Sequence, residues 1–66
     1  MNNEENLYYK SIRIENKKFI FNLKENHRGK FLKIIEFSGG KSSIIIPLSG
    51  IEMFQLALNE IAQKLS

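Results

Sequence analysis

The residues with the clearest chemical character lie in one short run, residues 24–34. This run combines four cations, an asparagine, a histidine and one aromatic ring around a single glycine: Lys24, Asn26, His27, Arg28, Gly29, Lys30, Phe31 and Lys33. Lysine and arginine neutralise phosphates, and an exposed ring beside them gives a base a surface on which to stack. Apolar residues alternate with polar ones on both sides of the run, as they do in strands. The run therefore predicts a hairpin whose tip and flanks bind a polyanion.

The chain is short, with 66 residues and no cysteine. A domain of this size buries only about 60% of the surface that its unfolded chain exposes, so its own core is marginal. Without cysteine there are no disulfides and no thiolate zinc site to reinforce that core. Self-association is a common way for such a small domain to gain buried surface.

The first six residues are polar and acidic, and they lack the basic and apolar regions of a secretory signal. The longest apolar run, residues 44–48, is far too short to span a membrane. We therefore expect a flexible N-terminus over residues 1–6, a single folded domain over residues 7–66, and a cytoplasmic protein without a membrane partner.

The formal net charge of +3 is distributed unevenly along the chain. Residues 7–48 hold nine lysines and arginines against three glutamates, a formal charge of +6, whereas both ends are slightly acidic. A localised basic surface raises the local concentration of anionic ligands. The alternative is that these charges are solvated and serve only solubility.

Hydrophobic periodicity predicts four strands and then one helix. The alternation of apolar and polar residues predicts strands over residues 8–15, 18–26, 30–37 and 42–46. The intervening turns are predicted at residues 16–17, 27–29 and 38–40. Beyond Pro47 the period changes to that of a helix of about 16 residues, with Ser49 as its N-cap and Glu52 completing a capping box. The predicted fold is α+β, a four-stranded antiparallel sheet followed by one C-terminal helix.

Such a sheet has two faces, and one helix covers only one of them. The predicted helix-side core consists of Phe19, Phe21, Leu23, Leu32 and Ile34. The opposite face would hold Lys18, Ile20, Lys24, Asn26, Phe31 and Lys33. A basic face with an exposed ring suits single-stranded nucleic acid, and an asparagine can read a base edge.

The run over residues 18–34 resembles the PUR repeat of the purine-rich-element binding proteins, the Pur-alpha family. The signature of that repeat is an aromatic-rich strand followed by Lys-x-Asn-x-Arg-Gly-(Arg/Lys)-Phe. The resemblance continues through the Gly-rich turn, the fourth strand and the closing helix, and it covers about residues 7–65. The chain is similar to a bacterial single-repeat member of this family.

This resemblance implies an interlocked pair of ββββα repeats, and hence an intertwined homodimer when a chain supplies one repeat. It implies binding of single-stranded DNA and RNA, with duplex DNA as a further candidate, and a role in regulating gene expression. The family's motif maps onto Lys24, Asn26 and Arg28, with Phe31 as the stacking ring and Asn16 and Lys17 contributing from a turn. Lys18, Lys30 and Lys33 complete the candidate interface. A cytoplasmic location that includes association with the nucleoid fits this role.

Several simpler interpretations of the same residues stay open. Phe31 could pack in a dimer core, Lys24 and Arg28 could be solvated surface charges, and Asn26 could cap its turn. The basic face could instead bind an acidic protein partner as an interaction or assembly module. An OB-fold-like single-strand binder would share the function, but it needs a five-stranded barrel, and only four strands are predicted.

The sequence contains no Ser-His-Asp constellation, paired acid set or metal-spaced cluster, so we expect no enzyme activity, cofactor or metal site.

Overall fold

The computed structural model describes residues 4–65, in which four strands precede one helix. The elements are β1 (Glu5–Ile14), β2 (Lys17–Asn26), β3 (Gly29–Phe37), β4 (Lys41–Pro47), a 3₁₀ turn (Leu48–Gly50) and α1 (Ile51–Leu65). The strands form one antiparallel sheet in chain order. The predicted α+β fold, four antiparallel strands followed by a C-terminal helix, is confirmed.

The first hairpin differs from its prediction at both of its ends. β1 begins at Glu5, inside the segment expected to be flexible, because Asn6 pairs with Lys24 and so extends the ladder towards the chain start. Residues 1–3 of that segment lie outside the described residues. The turn consists of Glu15 and Asn16, with Glu15 at a φ of 56°. Lys17, predicted to lie in the turn, instead opens β2.

The second hairpin has a two-residue turn, and its closing residue is a glycine. Asn26 pairs with Gly29, which leaves His27 and Arg28 as the turn. Gly29 has a φ of 129°, a conformation that side chains with a Cβ rarely adopt. The Oδ1 of Asn26 accepts a hydrogen bond of 2.9 Å from the backbone N–H of Arg28. The predicted role of Asn26 in capping its turn is thus observed.

Register and pleating divide the strand side chains between two faces, because residues paired across an antiparallel ladder point to the same side. We call one of them the apolar face. It consists of Tyr8, Ile12, Ile14, Phe19, Phe21, Leu23, Leu32, Ile34, Ile44 and Ile46, with a few charged residues. All the residues of the predicted helix-side core lie on this face.

The opposite side, which we call the basic face, carries the excess positive charge. Its cations are Arg13, Lys18, Lys24, Lys33 and Lys41, and its larger uncharged side chains are Tyr9, Ile20, Phe31, Ile35, Phe37 and Ile45. The three strand glutamates Glu5, Glu25 and Glu36 all register with the apolar face, where three strand cations balance them. Among the described strand residues, the charge is therefore +5 on the basic face and zero on the other.

Within one chain the helix does not cover the apolar face, so the residues of the predicted helix-side core are not covered by their own helix. α1 contacts the 3₁₀ turn before it, and every described helix residue after Ile51 is exposed. No hydrophobic residue among residues 4–65 is fully buried. The chain turns at once after Pro47, so Ser49 lies within the 3₁₀ turn and is not the predicted N-cap of the helix.

The surface and the radius of gyration are both large for a chain of this mass. The solvent-accessible surface is 5692 Å², whereas a folded monomer of 7.7 kDa is expected to expose about 4,300 Å². The radius of gyration is 13.6 Å, against about 11 Å for a compact domain of this length. The fold therefore exposes about 1,400 Å² more than a self-contained domain would.

We expect the substitution Gly29→Ala to destabilise the protein by about 1–3 kcal/mol, because alanine is strained at this backbone conformation. Gly40→Ala is the matched control, since its added methyl meets open space and its φ lies outside the left-handed region. That control should be neutral or slightly stabilising. Urea unfolding at one fixed protein concentration measures both changes, and equal midpoints for the two variants would contradict the assignment.

Candidate nucleic-acid interface

The β2–β3 hairpin brings the central candidate residues together at one end of the sheet. Lys24 lies directly opposite Phe31, and Phe31 lies opposite Pro47 in the next strand. Asn26 is two residues beyond Lys24 on the same face, and Arg28 follows in the turn. The Lys-x-Asn-x-Arg spacing therefore has a structural reason. Lys24 and Asn26 occupy alternate positions on one face of β2, and Arg28 follows in the turn, so all three lie at the same end of the sheet.

A groove of about 380 Å³ lies at this end of the sheet, and we call it the hairpin groove. Its lining residues are Glu4, Asn26, Arg28, Gly29, Lys30, Phe31, Ile45 and Pro47. The volume falls within the range of small-ligand sites, about 300–1,000 Å³. A ring and two aliphatic side chains line it together with two cations and the carboxylate of Glu4. The net charge of these side chains is +1, so the groove suits a planar group that carries negative charge.

An ion pair joins Glu4, which lines the hairpin groove, to Lys24, which lies beside it. The Nζ of Lys24 lies 3.1 Å from the Oε1 of Glu4. The Lys24 side chain is 17% exposed and that of Glu4 is 35% exposed. Pairs this accessible to solvent contribute only about 0–1 kcal/mol. An incoming phosphate could therefore replace the carboxylate at Lys24 at little cost.

The turn bond leaves part of the Asn26 side chain available. Its Oδ1 is engaged by the Arg28 N–H, whereas its amide nitrogen makes no hydrogen bond within residues 4–65. The turn thus orients the carboxamide, and Asn26 is one of the residues that line the groove. Phe31 is half-buried there, with its ring in the wall of the same groove.

The remaining predicted site residues do not all join this cluster. Asn16 and Lys17 lie at the other end of β2, about 30 Å along the strand from Asn26. The Nζ of Lys17 pairs with the Oε2 of Glu36 at 3.3 Å, on the apolar side. Within one chain, Asn16 and Lys17 therefore do not contribute to the hairpin groove, which lies at the opposite end of β2.

The other three lysines occupy different positions around the sheet. Lys33 lies on the basic face opposite Asn22, two residues beyond Phe31. Lys18 shares that face but lies near the far end of β2. Lys30 is exposed and lines the hairpin groove, while its register partner is Glu25.

Within residues 4–65, no three or more His, Cys, Asp or Glu side chains are grouped as metal ligands. No helix there has the length and apolarity needed to cross a membrane.

Comparison with known proteins gives a consistent result. The family model described as "PurA ssDNA and RNA-binding protein" matches residues 2–66. The chain belongs to the PurA family. It is 44% identical over 55 residues to Transcription factor Pur-alpha 1 of Arabidopsis thaliana, which covers 82% of this chain and 19% of the relative. It is 36% identical over 61 residues to Transcriptional activator plp-1 of Caenorhabditis elegans, covering 88% of this chain and 27% of that protein. The chain thus spans about a fifth to a quarter of these relatives.

Membership of the PurA family confirms the resemblance that the motif around Asn26 predicted. Sequence reasoning did not find Glu4 as a groove residue, because it assigned residues 1–6 to a flexible segment. The signal that could have found it is the register of β1, which brings Asn6 opposite Lys24. Glu4 and the motif residue Lys24 are therefore neighbours in space, although twenty residues separate them in sequence.

For this PurA-family chain, we expect Glu4→Gln to raise the affinity for a single-stranded oligonucleotide. The change removes the carboxylate that competes for Lys24, and a pair of this kind corresponds to about a 1.5- to 5-fold effect. Fluorescence anisotropy with a labelled oligonucleotide measures the change.

Glu5→Gln is the matched control for that experiment. It removes the same charge one residue away, but Glu5 registers with the apolar face opposite Glu25. In a Lys24→Ala background, Glu4→Gln should no longer increase affinity. Equal gains from both single substitutions would mean that only net charge matters and that the Lys24–Glu4 pair has no specific effect.

Proposed function

We propose that this chain binds single-stranded DNA and RNA through its basic face and contributes to the regulation of gene expression. The observation that carries the proposal is the segregation of charge: the described strands direct five cations and no glutamate to the face that also bears Phe31. The PurA family description names single-stranded DNA and RNA binding. The names of both relatives refer to transcription, which supports the regulatory role.

The hairpin groove suggests how one nucleotide is held. Arg28 and Lys30 bind the phosphates on either side, and Lys24 contributes once its pair with Glu4 opens. The base stacks on the ring of Phe31, and such stacking contributes about 1–3 kcal/mol per base. The free amide nitrogen of Asn26 donates to an acceptor on the base edge.

An unpaired strand suits this groove better than a duplex does. In a duplex the faces of the bases are stacked on one another, so a base must first leave its stack to reach Phe31, which costs a few kcal/mol. Duplex DNA is therefore the weaker ligand, bound mainly through its phosphates. The protein acts in the cytoplasm, including at the nucleoid, where such strands occur.

A second copy of the chain covers the apolar face in this proposal, so the functional unit is an intertwined homodimer. The support is the excess exposed surface of about 1,400 Å² per chain, which exceeds the roughly 800 Å² that each partner buries in a standard interface. The helix and the apolar face are both left uncovered within one chain. If helices exchange between copies, each sheet gains the cover that its own helix does not provide.

We expect Arg28→Ala and Phe31→Ala to weaken binding of a single-stranded oligonucleotide in different ways. Removing a phosphate contact should make the log–log salt dependence shallower by about 0.7. Removing the ring should cost about 1–3 kcal/mol of binding free energy without changing that slope. Fluorescence anisotropy with labelled RNA, single-stranded DNA and duplex DNA over a range of salt concentrations measures both effects.

Lys64→Ala is the charge control for this series, because Lys64 lies in the last turn of the exposed helix. A poly-glutamate competitor tests the alternative of an acidic protein partner. If poly-glutamate displaces the oligonucleotide at equal charge concentration, and Phe31→Ala has no effect, the basic face is an anion-binding surface and not a nucleotide site.

We expect sedimentation to report twice the chain mass, and Leu58→Glu to reduce it to a single chain mass. Leu58 is 54% exposed on the helix, so a glutamate there disturbs the fold of one chain little but is costly in an apolar interface. The homodimer is wrong if the unmodified chain sediments as a monomer and Leu58→Glu leaves the unfolding midpoint unchanged. Nucleic-acid binding is tested separately, by the anisotropy series.

A further inference from the structure

A second aromatic ring lies among cations at the end of the basic face farthest from the hairpin groove. Phe37, the last residue of β3, pairs with Lys18 in β2 and with Lys41 in β4. Lys18 in turn pairs with Arg13 in β1. Side chains from all four strands thus form one line across the sheet, which we call the distal row: Arg13, Lys18, Phe37 and Lys41.

The distal row has the accessibility that a binding site needs. Phe37 is 37% exposed, Arg13 and Lys41 are exposed, and Lys18 is half-buried. No ion pair within residues 4–65 engages any of the three cations. The neighbouring acid, Glu36, registers with the apolar face and is paired with Lys17. The cations here are therefore available to an external anion.

We propose that the distal row is a second nucleotide site, in which Phe37 stacks on a base and Arg13, Lys18 and Lys41 bind the flanking phosphates. The inference rests on the proposed function, and it specifies the ligand as one continuous single strand that contacts both ends of the sheet. The strand runs along β3, from the ring of Phe31 to the ring of Phe37.

The spacing of the two rings sets the length of that strand. Phe31 and Phe37 are six residues apart on the same face, which corresponds to about 20 Å. Lys33 and Ile35 lie between them on that face, so a cation and an apolar surface continue the path. A stacked strand rises about 3.4 Å per nucleotide, so about six nucleotide steps span the distance. An oligonucleotide of about seven nucleotides or more should therefore reach both rings.

The test compares short and long oligothymidylates, about four and about twelve nucleotides, on the full chain with Phe37→Leu and Phe37→Tyr. Leucine keeps the apolar volume without a ring, whereas tyrosine keeps the ring. For the longer strand, Phe37→Leu should weaken binding about 5- to 150-fold, and Phe37→Tyr should preserve it. For the shorter strand, which occupies one ring at a time, the loss should not exceed about twofold.

A charge variant keeps the proposal testable if Phe37→Leu disturbs folding or assembly. Lys41→Gln removes an exposed cation of the distal row, and Lys64→Gln removes one from the helix as its control. Only Lys41→Gln should make the salt dependence shallower by about 0.7, and only with the longer strand.

The possible outcomes separate this inference from the proposed function. If Phe31→Ala weakens binding but Phe37→Leu and Lys41→Gln leave the longer strand's affinity and salt slope unchanged, the second site is wrong and the function stands. If the unmodified chain binds neither oligonucleotide, the proposed function itself is wrong. If leucine is tolerated as well as tyrosine, Phe37 acts as an apolar side chain and not as a stacking ring.

Discussion

The segregation of charge between the two sheet faces depends on one constraint, the pairing register of four antiparallel strands. Side chains alternate along each strand, apart from an irregularity between Asn6 and Tyr8 in β1. A slip of one residue would therefore move every lysine of a strand to the opposite face. Two-residue turns after Ile14 and Asn26 hold the register of the first three strands, because a hairpin's loop length determines which residues pair. Gly29 also helps to fix this register, since its backbone conformation lets β3 start directly opposite Asn26.

The same register creates an apolar face that one chain does not cover. Burial of that face would be worth far more than any polar contact within the chain, because apolar surface contributes about 25 cal/mol per Å² removed from water. α1 contacts mainly the short 3₁₀ turn after Pro47, and its described residues after Ile51 are exposed, so one chain leaves both the helix and the apolar face uncovered. In the proposed homodimer, burial of the apolar face and exposure of the basic face would both follow from this topology, because the partner's helix covers only one side of each sheet.

Sequence periodicity was enough to predict the four strands, the helix and the residues on each face, because alternation and the helical repeat are local properties. It failed where a distant residue or an uncommon backbone conformation decides the outcome. β1 extends to Glu5 because its partner lies in β2, and the first turn moves by one residue because Glu15 adopts a left-handed conformation. For the site, Lys24, Asn26 and Phe31 could be placed together because they belong to one hairpin. The distance of Lys17 from them, and the alignment of Arg13 with Lys41, emerge only when all four strands are in register.

In the proposed site, the polar contacts around Asn26 would fix side chains in place before a ligand arrives. The backbone N–H of Arg28 holds the carboxamide in one orientation, so little side-chain entropy remains to be lost when its amide nitrogen donates to a base. The Lys24–Glu4 pair has the opposite effect on anion binding, since it fixes the lysine beside the groove but already pairs it with an internal anion. In the proposed site, a ligand phosphate would gain a pre-positioned cation and would have to displace a weak competitor. Because that competitor is a single carboxylate on an accessible pair, it lowers affinity for isolated anions more than for a strand that contacts several cations at once.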